Sequence, residues 1–305
     1  MVAFSSTKAP VSSRHRVFIE PAVPYLAAIT VIWALSFNLI GAVLAGRVDA
    51  DFAVLTRVVL AGAVFLPFLR WRQVGPPLRL GLIAVGALQF GVTYLCLYRA
   101  FRFLTVPEVL LFTIFTPIYI TLIDDAMSRR FNPRALLAAM VAVAGAAIVR
   151  YDALTGDYLA GFLLLQLANL SFAAGQIGYK HLLRRHPSPL PQHASFGYFF
   201  IGALLVALPS YLLFGNPARL PTTEAQWAVL AFLGLVSTAL GYFWWNKGAC
   251  MVDAARLGAM NNMHIPVGIA ISLVIGHPEG DIGRMLLGGA VIASSLLLAP
   301  RKNPG

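Results

Sequence analysis

The chain has 305 residues, of which 59% are hydrophobic and only 11% are charged. Soluble domains carry about 25% charged residues, so this composition excludes an ordinary soluble enzyme or binding domain. The net charge of +11 does not indicate a nucleic-acid partner, because the basic residues lie in short segments between long apolar runs. That arrangement is typical of a polytopic membrane protein. The two cysteines, Cys96 and Cys250, form no metal-binding or disulfide pattern.

Hydrophobic runs of about 20 residues, the length of a helix that crosses a bilayer, recur along the whole chain. Backbone polar groups in lipid must be hydrogen-bonded internally, so we interpret each run as an α-helix. The predicted fold class is therefore an all-α polytopic membrane protein with ten transmembrane helices. The predicted spans lie at residues 22–44, 52–70, 79–98, 105–123, 134–150, 157–179, 194–214, 225–246, 253–275 and 282–299.

The basic residues of the connecting segments predict the orientation of the chain. With the N-terminal tail 1–21 in the cytoplasm, most loop arginines and lysines face the cytoplasm, as the positive-inside rule requires. The C-terminal tail 300–305 then lies on the same side, because the number of spans is even. No signal-peptide pattern precedes the first run, so we expect a retained helix and a multi-pass protein of the cell inner membrane.

The two halves of the chain resemble each other when one is shifted by 148 residues, with two slips of a single residue each. The matched pairs, in chain order, are Gly86 with Gly234, Tyr94 with Tyr242, and Pro117 with Pro266. We therefore predict a first repeat at 22–150, a linker at 151–156 and a second repeat at 157–299. Five spans per repeat is an odd number, so the second repeat is inverted in the membrane. Inverted repeats are typical of secondary transporters, whose substrate sites lie where the repeats meet.

Several short motifs keep a consistent order and spacing along the chain. They are Trp33-Ala34-Leu35-Ser36-Phe37-Asn38, Arg57, Tyr98-Arg99-Ala100, Thr116-Pro117, Leu170-Ser171-Phe172, Gly241–Ala249 and Pro266. With these motifs, residues 22–299 resemble the EamA-type, ten-helix branch of the drug/metabolite transporter superfamily, and within it the YddG-like bacterial amino-acid exporters. The resemblance implies that the third, fourth, eighth and ninth spans, with parts of the first and sixth, surround a central cavity. It places the fifth and tenth spans at the periphery or in a dimer contact.

Polar side chains in the third and eighth spans are the first candidates for the cavity wall, because polar groups inside a membrane usually face a cavity or a partner. The candidates are Gln89, Tyr94 and Tyr98 in the third span, and Tyr242, Trp245 and Asn246 in the eighth. Two Tyr-rich walls related by the repeat suit an amphipathic solute. The alternative is a belt of aromatic residues at the membrane surface.

The ninth span holds the densest polar group, in which Asn262 and His264 are candidates for hydrogen bonds to a solute. The alternative is hydrogen bonding between helices. Four further candidates lie in the first span of each half: Trp33 and Asn38 in the first span, and Gln176 and Tyr179 in the sixth.

Two charged residues inside spans require separate interpretations. Arg57 can reach the outer surface, bind a substrate carboxylate or pair with Glu108, and the sequence leaves these alternatives open. Glu108 follows Pro107 near the outer end of the fourth span, where a carboxylate caps a helix. Because a proton-coupled carrier needs a protonatable group near the midplane, we expect facilitated diffusion or exchange instead.

Pro117 and Pro266 occupy equivalent positions in the two halves and are candidate hinges. Proline removes a helical hydrogen bond and kinks the helix, and two matched kinks would serve as pivots for alternating access. Kinks that serve packing alone are the alternative.

The sequence contains no P-loop and no HExxH motif, so we expect no enzyme activity, cofactor or metal site. We predict a secondary transporter that exports amino acids, including aromatic ones, by alternating access. The alternatives are another cargo, such as a nucleoside, vitamin, drug or sugar derivative, or a membrane-embedded enzyme or assembly factor. The expected partners are a small-molecule substrate and the lipid bilayer, with a homodimer left open.

Overall fold

The computed structural model describes residues 22–129, 156–252 and 254–275, with isolated positions between 133 and 144 and between 283 and 294. Every secondary-structure element in these residues is helical. Seven of the described helices are long and apolar enough to cross a membrane. Apart from these isolated positions, the predicted fifth and tenth spans lie outside the described residues, as do the predicted linker up to residue 155 and both predicted tails.

The described helices follow the predicted spans closely. They are α1 (Ala22–Leu39, continued by the π-helical turn Ile40–Leu44), α2 (Ala50–Phe68), α3 (Pro76–Ala100), α4 (Val106–Met127), α5 (Gly156–Arg185), α6 (His193–Phe214), α7 (Glu224–Ala249), α8 (Ala254–Asn262) and α9 (His264–Ile275). One prediction is wrong in detail. The ninth span, predicted as a single helix at 253–275, is two helices that meet at Met263.

The two candidate hinge prolines explain interruptions in α4 and between α8 and α9. Proline cannot donate to the carbonyl four residues earlier, and its ring crowds that carbonyl. In α4 the helix tightens to a 3₁₀ turn at Thr113–Phe115, immediately before Thr116-Pro117. The break at Met263 lies just before Pro266. The interruption is therefore at an equivalent place in each half.

Side-chain caps fix several of the helix ends. The side chain of Asp49 accepts a hydrogen bond from the backbone N–H of Phe52 (2.8 Å) at the start of α2. At the start of α4, the backbone N–H of Thr105 donates to Glu108 Oε2 (2.8 Å), and the two residues form a capping box. Glu108 therefore caps its helix, as the sequence predicts.

Besides the turn Ile40–Leu44 at the end of α1, two of the long helices contain π-helical segments, Ala87–Val92 in α3 and Phe232–Leu240 in α7. Shifting the first segment by 148 residues gives 235–240, which lies inside the second. A π-helical turn inserts an extra residue per turn, rotates the following side chains and is frequent at functional sites. The matched halves therefore share a backbone distortion as well as a sequence pattern.

Helices from the two halves of the chain interleave. α6 packs against α2 and α3, α5 against α3 and α4, and α1 against α7 and α9. The α3–α6 contact is the closest of these, because a Cβ atom at Gly86 would collide with the backbone of Phe199, and one at Gly202 with that of Ile83. Large apolar side chains such as Leu213 and Val274 are mostly exposed, with 73% and 87% of their surface accessible, as expected for helices that face lipid.

Candidate functional site

A small central cavity lies where helices of both halves meet. Its volume is about 60 Å³, room for only a few water molecules. Its wall consists of Trp33, Ser36, Phe37, Ile40, Arg57, Thr93, Tyr94, Leu97, Thr113, Thr116, Leu165, Ala168, Asn169, Phe172, Tyr242, Asn261 and His264. No Asp or Glu stands among these residues. A cargo larger than a few water molecules therefore requires the helices to separate.

The strongest charge in the cavity wall is Arg57 on α2, which is only 3% exposed. Its Nε donates to Thr238 Oγ1, and its Nη2 donates to Ser237 Oγ (3.0 Å). Its Nη1 lies 3.4 Å from the hydroxyl of Tyr98, and its guanidinium carbon lies 4.0 Å from the centre of the Tyr94 ring. We call Arg57, Tyr94, Ser237 and Thr238 the cation wall.

The partners of Arg57 are neutral. Within the described part of the chain, no carboxylate forms an ion pair with its guanidinium. Its burial also excludes the alternative in which the side chain reaches the outer surface. A buried cation satisfied only by hydroxyl groups and an aromatic face has unused capacity for an anion, because charge-assisted hydrogen bonds to carboxylates are the stronger ones.

The π-helical segment of α7 places the hydroxyl groups of the cation wall. Ser237 and Thr238 are both fully buried, and Thr238 Oγ1 also bonds the Tyr94 hydroxyl (3.0 Å). Ser237 Oγ is 2.9 Å from Ser36 Oγ, and the Ser237 carbonyl accepts a hydrogen bond from Trp33 Nε1 (3.3 Å). Side chains from α1, α2, α3 and α7 thus hold the guanidinium in one orientation.

A second polar group in the wall comes from α4, α5, α8 and α9. His264 Nε2 lies 2.9 Å from Thr113 Oγ1, its Nδ1 contacts the Asn261 carbonyl, and its ring stacks on Phe37 with centres 5.4 Å apart. The Asn169 amide donates to the Phe112 carbonyl (2.9 Å). The same amide nitrogen also donates to Gln166 Oε1 (3.3 Å), whereas the Asn169 side-chain oxygen accepts no hydrogen bond among the described residues.

Aromatic rings fill the wall around these polar groups. The Trp33 ring lies 4.7 Å from Tyr242, 4.6 Å from Trp245 and 5.8 Å from Phe172, measured between ring centres. Such rings offer apolar contact area to the uncharged part of a solute. The cavity thus combines a cation, an apolar aromatic surface and a separate set of amide and imidazole groups.

The structure brings four of the predicted site residues into the cavity wall, namely Trp33, Tyr94, Tyr242 and His264. It places others in contacts between helices. Gln89 and Asn246 are fully buried and bond each other, with Gln89 Nε2 donating to Asn246 Oδ1 (3.0 Å). Asn38 donates to the carbonyl of Gly268 on α9 (3.0 Å). These three amides tie helices together in this structure.

The remaining predicted residues lie behind or beside the wall. The Tyr98 hydroxyl contacts Arg57, and Tyr179 packs on Phe199 with ring centres 5.2 Å apart. Gln176, Trp245 and Asn262 are packed away from the cavity, and their side-chain polar atoms have no hydrogen-bond partner among the described residues.

Sequence reasoning missed most of the hydroxyl groups in the site. Ser36 and Thr116 belong to the motifs of the first and fourth spans but were not identified as site residues. Ser237 and Thr238 are two adjacent hydroxyl residues in an otherwise apolar run. The shift that matches Tyr94 with Tyr242 also places Ser237 on Gln89, which was a signal available in the sequence. The described residues bring together no group of three or more His, Cys, Asp or Glu side chains that could hold a metal ion.

Comparison with known proteins decides the family. The profile of the EamA-like transporter family matches residues 21–151 and again residues 159–299. The chain belongs to this family. This EamA-like transporter is a multi-pass membrane protein that carries a small molecule, and not an enzyme, as the sequence predicts.

Close relatives carry more specific names. A probable biotin transporter of Pseudomonas aeruginosa is 63% identical over 272 residues, which is 89% of this chain and 95% of that protein. The biotin transporters of Salmonella typhimurium and Escherichia coli K12 are each 49% identical, over 88% of this chain and 89% of theirs. A solved crystal structure with 17% identity matches the fold with a TM-score of 0.65, covering 91% of this chain and 96% of that one. These relatives support the vitamin alternative and give no support to an amino-acid exporter.

Proposed function

We propose that this EamA-like transporter carries biotin across the inner membrane through the central cavity. Biotin is a monocarboxylate in which an apolar chain joins the acid to a bicyclic head with a urea group. The observation that carries the proposal is Arg57, a buried cation in the cavity wall with no described carboxylate partner. The names of the relatives, at 49–63% identity, point to the same cargo.

The parts of the cavity match the parts of this molecule. The carboxylate binds Arg57 with support from Ser237, Thr238 and Tyr94. The apolar chain lies against the rings of Trp33 and Tyr242. The urea group offers two N–H donors and one carbonyl acceptor, which suit the unused carbonyl oxygen of Asn169 and the polar pair of Thr113 and His264.

The absence of acidic side chains in the described cavity wall separates this cargo from the amino acids first predicted. An amino acid brings an ammonium group along with its carboxylate. Its transfer from water to an apolar site without a counter-charge is costly. A cargo with one negative charge and a neutral polar head meets no such cost here.

The cavity must widen to admit biotin and close again behind it. We infer that α4 and the α8–α9 pair bend at Pro117 and Pro266, where both are already interrupted. The two halves then exchange conformations and open the cavity to either side in turn. The described cavity wall has no Asp or Glu, and both ring nitrogens of its histidine, His264, contact Thr113 and the Asn261 carbonyl. The proposed mode is therefore facilitated diffusion or exchange, and flux is expected to be independent of an imposed proton gradient.

The decisive experiment measures flux of radiolabelled biotin into liposomes that contain the purified protein. The wild type is expected to show saturable flux and to prefer biotin over its neutral amide. Arg57→Gln is expected to lower the biotin flux at low concentration by about 30-fold or more, because losing one partner of a buried charge pair costs about 2–5 kcal/mol. In the same variant the preference for the acid over the amide disappears.

The matched control is Arg47→Gln, which removes an exposed arginine outside the cavity. It is expected to keep wild-type flux and preference. Size-exclusion profiles of all variants show whether each one is folded. Absence of saturable biotin flux in the wild type contradicts the proposal, as does an unchanged acid preference in folded Arg57→Gln. Saturable flux of amino acids instead of biotin in the same assay supports the first-predicted cargo.

A further inference from the structure

A much larger space lies at the end of the bundle where α1, α3 and α6 end and α2 and α4 begin. It consists of two hollows, of about 590 and 380 Å³, which share Ala45, Gly46, Phe101, Arg102 and Arg219 in their walls. We call the joined space the outer vestibule, because the positive-inside rule places this end of the bundle outside the cell. It is roomy enough for a solute that the contracted cavity excludes.

Some of the charged residues that line the outer vestibule are paired with an opposite charge, and others are not. Arg99 Nη2 donates to Asp51 Oδ1 (2.6 Å), so this pair is neutral together. The carboxylate of Asp49 caps α2. Arg102 and Arg219 are exposed and form no ion pair with any described carboxylate. Three arginines against two aspartates leave the vestibule wall with a net positive charge.

The vestibule also has an apolar side and a fixed frame. Val48, Phe101 and Phe214 lie in its wall beside the arginines. The backbone N–H of Asp49 donates to the carbonyl of Arg219 (2.8 Å), which ties the short turn Pro217–Arg219 to the start of α2. Cations beside apolar surface suit an amphipathic anion.

Tyr98 on α3 links the vestibule with the cavity. Tyr98 lies in the vestibule wall, and its hydroxyl is 3.4 Å from Nη1 of Arg57, which lies in the cavity wall. A carboxylate that displaces the Tyr98 hydroxyl therefore passes from the vestibule directly to Arg57. The exchange replaces a neutral acceptor by a charged and stronger one.

We propose that the outer vestibule is a second, weaker binding site for the carboxylate cargo, in which Arg102 and Arg219 collect the anion and Tyr98 passes it to Arg57. This inference rests on the proposed function and adds an entry site to it. Charges of one sign that line a cleft raise the local concentration of ions of the opposite charge, and added salt weakens this effect.

The experiment measures initial biotin uptake by cells that lack their own biotin transporter and produce the double variant Arg102→Gln/Arg219→Gln. At low ionic strength and low biotin, uptake by the double variant is expected to fall about tenfold below the wild type, at the lower end of the range of electrostatic steering. At high ionic strength, and at saturating biotin, the difference is expected to disappear. Uptake of the neutral amide is expected to be the same in both proteins at every salt concentration.

Arg47→Gln is the matched control, because Arg47 is an exposed arginine at the same end of the bundle that lies in neither hollow. It is expected to behave like the wild type. Equal uptake by the double variant and the wild type at low ionic strength overturns the inference, as does an equal loss in Arg47→Gln. Absence of saturable biotin uptake by the wild type contradicts the proposed function instead, so the two failures are distinguishable.

Discussion

The π-helical segments of α3 and α7 occupy matched positions in the two halves but present different chemistry. In α3 the segment Ala87–Val92 carries Gln89, whose amide is fully engaged with Asn246. In α7 the segment Phe232–Leu240 carries Ser237 and Thr238, which hold the guanidinium of Arg57. One distortion thus closes a contact between helices, and the other builds the cation wall.

This difference indicates how a duplicated chain acquires an asymmetric site. The backbone device is common to both halves, because it rotates side chains toward the centre of the bundle. The side chains at equivalent positions then diverge. A cargo with one charged end needs a single cation wall, and the other half is free to provide stability.

The largest expected effect is on stability, when one glycine of each segment is replaced by alanine. Gly86 directly precedes the α3 segment, and Gly234 lies within the α7 segment. A Cβ at Gly86 would collide with the backbone of Phe199, whereas a Cβ at Gly234 would lie 2.7 Å from the Leu60 Cβ. Because the overlap at Gly86 is deeper, with the Phe199 carbonyl oxygen as the nearest atom, Gly86→Ala is expected to lower the free energy of unfolding by about 3 kcal/mol, and Gly234→Ala by about 1 kcal/mol.

Thermal unfolding of the detergent-purified protein measures both effects. Gly178→Ala is the control, since the nearest atom to its Cβ is 3.6 Å away, on Val85. Equal melting temperatures for Gly86→Ala and Gly178→Ala contradict the described α3–α6 contact.

The next effect tests the amide pair in α3 and α7. Gln89→Leu leaves the buried amide of Asn246 without its partner, which costs about 2 kcal/mol of stability. The double variant Gln89→Leu/Asn246→Leu removes both amides and is expected to recover most of that loss and to keep biotin flux. Melting temperatures of Gln89→Leu, Asn246→Leu and the double variant measure the coupling. If the double variant is stable but has lost flux, the pair contacts the cargo and the comparison between the two segments is wrong.

A smaller effect is expected from the hydroxyl groups of α7. Ser237→Ala with Thr238→Val leaves the charge of Arg57 but removes two of its hydrogen bonds. The KM for biotin is expected to rise about tenfold, which corresponds to about 1.4 kcal/mol. Flux measured against biotin concentration gives the value. Ser195→Ala, at the start of α6, is the control and is expected to keep the wild-type KM. A wild-type KM in the Ser237→Ala/Thr238→Val variant would show that these hydroxyl groups do not orient Arg57.

The smallest effect compares the two prolines. The ring of Pro117 packs against α8, where a Cβ at Gly258 would lie 2.8 Å from it, whereas Pro266 is exposed. Pro117→Ala is expected to lower the maximal biotin flux about threefold with little change in KM, and Pro266→Ala by less, since hinge changes affect the rate of conformational exchange. Flux at saturating biotin measures both. Maximal rates that equal the wild type in both variants argue that the kinks serve packing alone.

Hydropathy alone predicted the described spans to within a few residues, because each helix must carry about 20 apolar residues to cross a bilayer. The internal shift also matched Tyr94 with Tyr242, and the ring centres of these two residues lie 6.0 Å apart. The α8–α9 break was missed, although Pro266 was recognised, because hydropathy does not reveal where a helix loses a hydrogen bond.

The cation wall could not be derived in the same way. Arg57 has no periodic relation to Ser237 or Thr238, which are 180 and 181 residues away. Their contact depends on the depth at which α2 and α7 cross and on the π-helical rotation, which local sequence does not encode. The same limit explains why Gln89 and Asn246 were expected to contact a solute, although each is the partner of the other.

The position of Trp33 gives this protein a built-in optical reporter. Its indole forms part of the cavity wall, whereas Trp71, Trp227 and Trp244 are largely exposed at the surface. The wavelength and intensity of indole fluorescence change when a bound solute replaces the water or the aromatic rings next to the indole. In a variant that keeps Trp33 as its sole indole, occupancy of the cavity can be followed in real time without a label on the cargo.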